Sequence, residues 1–358
     1  MKIGLDGTTL KGRDGGVGAG IEHYTRSIVA ALPSCHGSNQ LLVARPIGGI
    51  PFVSRHVLLP VWLTASGCQV LLCPSGQTPL LWRGKSVIVI HDLAIYEHPE
   101  WFAGLPNQDF SVKFSVPRSI RVADRIIVPS HATKEQLLRL HPESEKKIVI
   151  VPHGVAVPKE FVSQPAARDV DIKDSIVSIG TIEPRKNLMN AVKAFDLFLK
   201  DHPERAASVQ YIIAGREGWH HKEVLQEIKR VNDEWQNKSM AVIRYVGSVN
   251  EQEKWSLLQQ SVGLLFPSWW EGFGLPVLEA MAVGTPVIAS SRGALPEVGG
   301  DAAIYVEPDD TEQMALAIAQ CVLMPDAMKE LKESAKKRAA EFTWERTARE
   351  TMKVIESV

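Results

Sequence analysis

The sequence predicts an α/β protein built from two doubly wound parallel sheets. Three observations point there. Short runs of β-branched and aliphatic residues alternate with amphipathic stretches along the whole chain. The runs fall into two sets of six, parted by one polar, aperiodic segment. A length of 358 residues accommodates two domains of ordinary size. Strands that read as continuous apolar runs are covered on both faces, as in parallel sheets whose crossovers are helices.

In the first set the predicted strands are Lys2–Leu5, Gln40–Ala44, Val70–Cys73, Ser86–Ile90, Arg125–Val128 and Ile148–Val151. The second set is Ser175–Ile179, Val209–Ala214, Val242–Val246, Val262–Phe266, Pro286–Ala289 and Ala303–Tyr305. Apolar residues at helical spacing mark helices over Ile21–Leu32, Ala132–Leu140, Leu188–Leu199, Lys222–Glu234 and Glu251–Gln260. The segment Pro158–Asp174 holds Pro158 and Pro165 and has no periodicity, so the boundary belongs there. It gives domains of residues 1–160 and 174–341, with the amphipathic tail 342–358 as a last helix. Asp169-Val170-Asp171 in that segment reads as a solvated or capping string, not a metal site.

Composition is that of an ordinary soluble domain, 45% hydrophobic and 23% charged, with net charge −1. The halves differ: residues 1–160 carry 17 Lys and Arg against 12 Asp and Glu, the remainder 23 against 29. The modest excess in the first half reads first as uneven, solvated charge, and otherwise suits an acidic partner such as a phospholipid surface or a phosphorylated acceptor; nucleic acid is not indicated. Four cysteines lack disulfide or metal spacing and fit a reducing, cytoplasmic setting. No leader pattern is read at the N-terminus, and no run approaches 18 apolar residues. Contact with the inner membrane face is therefore expected to be peripheral. Trp62, Trp82, Trp101 and Phe102 are candidates for it, although packing accounts for most such residues.

The most informative stretch is PSWWEGFGLPVLEAMAVGTPVI, residues 267–288. Glu271 and Glu279 flank the turn Gly272-Phe273-Gly274-Leu275, and Pro276 stands as the first residue of a helix running to Val283. A glycine turn opening a helix is suited to an anion. Two carboxylates beside it suit a ligand with phosphate in the middle and hydroxyl-rich rings at both ends. The loop Gly180-Thr181-Ile182-Glu183-Pro184-Arg185-Lys186-Asn187 follows a strand, and its Arg185 and Lys186 lie where open α/β sheets bind ligands. An Arg fork and a mobile Lys charge match diphosphate oxygens without a metal.

Gly15-Gly16-Val17-Gly18-Ala19-Gly20 precedes the first helix and reads as a loop folding over phosphate, without the acid that completes a dinucleotide fingerprint. His91 and Asp92 end a strand. His91 is expected to donate to a sugar hydroxyl or to use its backbone carbonyl, with Asp92 orienting it. Ser130 reads as a helix cap, Gly154 as a tight turn, and Gly215, Val246 and Gly247 as a lining for the nucleotide.

These motifs together resemble the retaining glycosyltransferases of family 4, across nearly the whole chain. The strongest signature is E-x7-E, Glu271 to Glu279, alongside GTIEPRKN, the early glycine loop, His91-Asp92 and GALPEV at 293–298. The resemblance implies a GT-B fold, two Rossmann-like domains facing a cleft, with acceptor bound by the first and nucleotide sugar by the second. It implies that Glu271 and the backbone of Phe273–Leu275 hold the donor sugar. Glu279 would hold the ribose, Arg185 and Lys186 the diphosphate, with Gly16 near the phosphates and His91 near the transferred sugar. GTIEPRKN is most similar to bacterial mannosyltransferases using GDP-mannose, and relatives with similar text use UDP-sugars for glucosyl, GlcNAc or galactosyl transfer. The implied acceptor is a glycan or lipid-linked saccharide in cell-surface polysaccharide synthesis, and no cofactor or metal is implied. An NAD-linked oxidoreductase and a non-catalytic nucleotide-sugar-binding protein are the competing classes.

Overall fold

Twelve strands form two parallel sheets in the computed structural model, which describes residues 1–10, 19–35, 39–44, 51–103, 110–163, 174–235 and 241–358. The chain divides into two units, Met1–Glu97 with Pro106–Gly154 and Phe342–Val358, and His98–Leu105 with Val155–Glu341. The division falls before the polar segment expected to hold it. Lys159–Ser163 is a short helix of the second unit, where the Phe161 carbonyl accepts from Gln259.

In the first unit the strands are β1 (Lys2–Asp6), β2 (Gln40–Ala44), β3 (Val70–Cys73), β4 (Lys85–Val89), β5 (Arg125–Val128) and β6 (Ile148–Ile150), ordered β2-β1-β3-β4-β5-β6. Leu71, Val87, Ile88, Ile126 and Ile127 are fully buried, which explains the unbroken apolar text. The final helix, Trp344–Glu356, packs on the first helix, Ala19–Ala31. Gly154 is not merely a turn residue. A Cβ there would lie 2.2 Å from the Trp344 nitrogen, so the start of the final helix passes directly over its backbone.

The second unit holds β7 (Asp174–Ile179), β8 (Val209–Ala214), β9 (Ile243–Gly247), β10 (Gly263–Phe266), β11 (Val287–Ser290) and β12 (Ile304–Val306), ordered β12-β11-β10-β7-β8-β9. Helix Leu188–Asp201 buries Ala191, Val192, Ala194, Phe195, Phe198 and Leu199, one stripe at helical spacing, in the core. The direction of strand addition reverses between β7 and β10. At such a switch point the connections leave in opposite directions and open a crevice beyond the strand ends.

Candidate active site

The loops after β7 and β10 meet at that switch point. Pro184–Lys186 is a single 3-10 turn, followed by Asn187 in the left-handed region at φ 58°. The basic pair therefore stands before helix Leu188–Asp201, not in its first turn, and does not oppose its dipole directly. Asn187 ties the two loops together: its amide donates to the carbonyls of Pro267 (3.0 Å) and Pro308 (2.5 Å). Trp269 N–H donates to the Arg185 carbonyl at 2.9 Å.

Four charges converge there. Arg185 Nη1 lies 2.9 Å from Glu271 Oε2, and Lys186 Nζ 2.6 Å from Glu271 Oε1. Arg185 Nη2 lies 2.7 Å from Glu183 Oε1, and Nη1 donates to the Trp270 carbonyl. Side-chain exposure is only 13% for each base and 10% for Glu271, so these charges interact strongly. Burial alone would raise the Glu271 pKa, but the adjacent Arg185 and Lys186 charges outweigh it and bring it to about 2. Lys186 also sits 4.8 Å from the Phe266 ring centroid and lines a small recess with Ser178, Gly180 and Ser268. Two cations on one turn, each already held by carboxylate oxygens, can exchange those oxygens for phosphate ones.

Helix Leu275–Ala282 begins one residue before the sequence reading placed it, so Pro276 is its second residue. Gly274, at φ 102°, supplies the left-handed turn into it. Gly272 and Phe273 lie buried on the same turn, and the Glu271 carbonyl accepts from Ala294 N–H at 3.0 Å. Glu279, one turn along the helix, is 5% exposed and accepts from Lys254 Nζ at 2.6 Å. Lys254 would be depressed by burial alone, but Glu279 and Glu251 hold its pKa up. Gly215, Val246 and Gly247 cluster at the ends of β8 and β9. Gly215 N–H donates to the Gly247 carbonyl (2.7 Å), the Gly215 carbonyl accepts from Tyr245 (2.9 Å), and Val246 is exposed.

His91 lies in the first unit at the end of β4, and its partners differ from those expected. Its Nδ1 is 3.1 Å from His153 Nε2 and its Nε2 is 2.8 Å from the Pro74 carbonyl. The Asp92 carboxylate instead accepts the Ala94 N–H at 3.2 Å, closing a local turn, so it does not orient the imidazole. Ser130 is the expected cap and accepts from Thr133 N–H. Gly15 and Gly16 lie outside the described residues, as does Asp169-Val170-Asp171. The four cysteines are free. Among the described residues no helix is long and apolar enough to cross a membrane.

Lys254, Glu183 and Asn187 were not singled out from the sequence. Lys254 carries no local signal, since it lies on a different helix from the Glu279 it meets. Buried Asp6 was also missed. It ends β1, accepts from Thr8, and pairs with Arg55 Nη2 at 3.0 Å. Asp at the end of a first strand was the available hint.

Residues 165–338 match the family model described as glycosyl transferases group 1. The chain is 28% identical over 278 residues to O-antigen chain mannosyltransferase B of Escherichia coli, covering 75% of this chain and 69% of that protein. It is 26% identical over 263 residues to O-antigen chain mannosyltransferase RfbU of Salmonella typhimurium, covering 73% and 67%. Among solved structures, Anabaena Alr3699/HepE in complex with UDP and glucose superposes over all of both chains with TM-score 0.73 at 16% identity. The fold is GT-B, and residues 165–338 form a domain of the glycosyl transferases group 1 family.

Proposed function

We propose that the protein transfers mannose from GDP-mannose, with retention of anomeric configuration and without a metal, to a hydroxyl of a glycan or lipid-linked acceptor in cell-surface polysaccharide synthesis. The observation that carries the reading is the convergence of Arg185 and Lys186 on Glu271 at the β7/β10 switch point. A diphosphate entering there takes over the two cations, and Glu271 is released to accept from sugar hydroxyls. Glu279 faces the ribose from the next helical turn, with Lys254 holding its carboxylate in place. The mannose assignment is supported by the relatives named as O-antigen chain mannosyltransferases.

The barrier is lowered mainly by positioning and by stabilising charge on the leaving phosphate oxygen. The arrangement favours a front-face path, in which that oxygen takes the acceptor proton while the new glycosidic bond forms on the same face.

The reading places the enzyme in the cytoplasm, touching the membrane through its first unit. Phe52, Phe110 and Phe114 support that contact: all are more than 40% exposed, and successive ring centroids lie 5.4 and 5.5 Å apart. Residues 51–91 contain no Asp or Glu. Trp82 does not contribute, being buried with its indole N–H on the Lys85 carbonyl.

A thermal-shift panel of nucleoside diphosphates and nucleotide sugars tests the donor, because a ligand bound only by the native state raises the melting temperature. Selective stabilisation by GDP and GDP-mannose is expected. Preference for UDP ligands would overturn the mannose assignment, and stabilisation by NAD alone would overturn transfer.

A further inference from the structure

We infer that His153 is a positioning residue that fixes the tautomer of His91, leaving the His91 ring no proton to give a substrate. The inference rests on the transferase reading for its consequence, but on the first unit alone for its geometry.

The proton count follows from the partners. A carbonyl only accepts, so the Pro74 oxygen, 2.8 Å from His91 Nε2, requires a proton on that nitrogen. A neutral imidazole carries one N–H, so Nδ1 of His91 is then an acceptor. The contact at 3.1 Å is satisfied only if His153 Nε2 donates. The chain of protons runs from His153 through His91 to Pro74, and each imidazole sets the tautomer of the next.

The surroundings hold both rings neutral. Tyr24 from helix Ala19–Ala31 packs with its ring centroid 4.9 Å from His91 and 4.7 Å from His153, and Trp344 stacks on His153 at 6.1 Å. Burial lowers the pKa of both imidazoles. The charged and titratable groups around them are Asp92, which favours the cation on His91, and His23 with Tyr24, on the helix packed against the pair. His23 disfavours a charge on His153, and burial raises the Tyr24 hydroxyl pKa, keeping it uncharged.

With both ring nitrogens committed, His91 meets a substrate through its main chain. Its carbonyl is met by the Thr133 hydroxyl at 3.4 Å, a long contact. The hydroxyl-donating role considered for this ring from sequence is therefore closed to it while His153 is in place.

Nitrogen NMR of ¹⁵N-histidine-labelled protein at neutral pH tests the tautomers directly, with signals assigned through the His91 and His153 variants. Both residues are expected to carry a proton on Nε2 alone. A proton on Nδ1 of His91, or a doubly protonated ring, would overturn the inference whether or not any nucleotide binds. Turnover of GDP-mannose supplies the second readout. His153→Asn keeps an N–H for His91 Nδ1 and is expected to stay within about threefold of the parent, whereas His153→Leu leaves that nitrogen unsatisfied and falls about tenfold or more. Equal losses in both variants, with melting temperatures unchanged, would show that donation from position 153 is not what matters. Loss of nucleotide binding with the tautomers as stated would count against the transferase reading only.

Discussion

Replacing Glu271 by Gln removes one negative charge from a cluster of four and leaves its shape almost unchanged. Arg185 retains Glu183 and the Trp270 carbonyl, but Lys186 loses the carboxylate at 2.6 Å and stays largely buried. Breaking a buried pair by removing one partner costs about 3–5 kcal/mol. Linkage gives a similar figure. A carboxyl at about 2 in the folded state against 4.5 unfolded contributes about 3 kcal/mol at neutral pH. The folded value is depressed, so this contribution is complete above pH 4.5 and is lost as pH falls towards 2.

Glu271→Gln should thus cost the second unit about 3 kcal/mol at pH 7, with the gap to the parent narrowing by about 2 kcal/mol at pH 3. Urea unfolding followed by tryptophan fluorescence reads it, since six of the nine tryptophans lie in that unit. The same variant should bind nucleoside diphosphate no more weakly than the parent, because the competing carboxylate is gone, while transfer of the sugar falls sharply. A cost under about 1 kcal/mol at pH 7, or one that does not shrink on acidification, would refute the charge reasoning.

Other outcomes follow from the same geometry. Lys254→Met leaves Glu279 buried without its ammonium partner; it should destabilise the second unit by about 2–4 kcal/mol at pH 7 and raise the KM for the nucleotide sugar. An unchanged KM would detach Glu279 from the ribose. In the first unit, His91 and His153 are held neutral, so acid favours the unfolded state. Stability is complete above pH 6.5 and should fall below it by up to about 1.4 kcal/mol per pH unit for each histidine. His153→Asn should remove about half of that slope, as measured by urea titrations at pH 6.5 and 5.5. Gly154→Ala forces a methyl group against the backbone at Trp344. Hydrogen exchange should then show Trp344–Glu356 opening, at a cost of about 1–3 kcal/mol.

The sheets were legible because both faces of nearly every strand are buried, so apolar runs such as Val70–Cys73 and Val209–Ala214 mark strands directly. Helix Glu251–Gln260 also carries a local signal that the reading by apolar spacing did not use: Asn250 and Glu253 form a reciprocal capping box at its start. The order of strands was not legible, because nothing in β7 or β10 states that they are neighbours; that pairing requires a crossover of some eighty residues to close.

The site divides along the same line. Glu271, Arg185 and Lys186 stand in turns whose text is unusual by itself, and the fold brings them together. Partners from remote elements were invisible: Lys254 reaches Glu279 from another helix, and His153 reaches His91 across β5. Asp92 misled because a neighbour in sequence was taken for a partner in space. Its short side chain closes its own turn instead.

Isothermal calorimetry of GDP binding should show tight association with the parent protein in metal-free buffer. With Lys186→Ala the affinity should be weaker by about tenfold or more, the cost of losing one charge-assisted bond to phosphate. Binding unchanged by that substitution, or no binding of GDP or UDP by the parent, would contradict the placement of the donor diphosphate on the turn after β7.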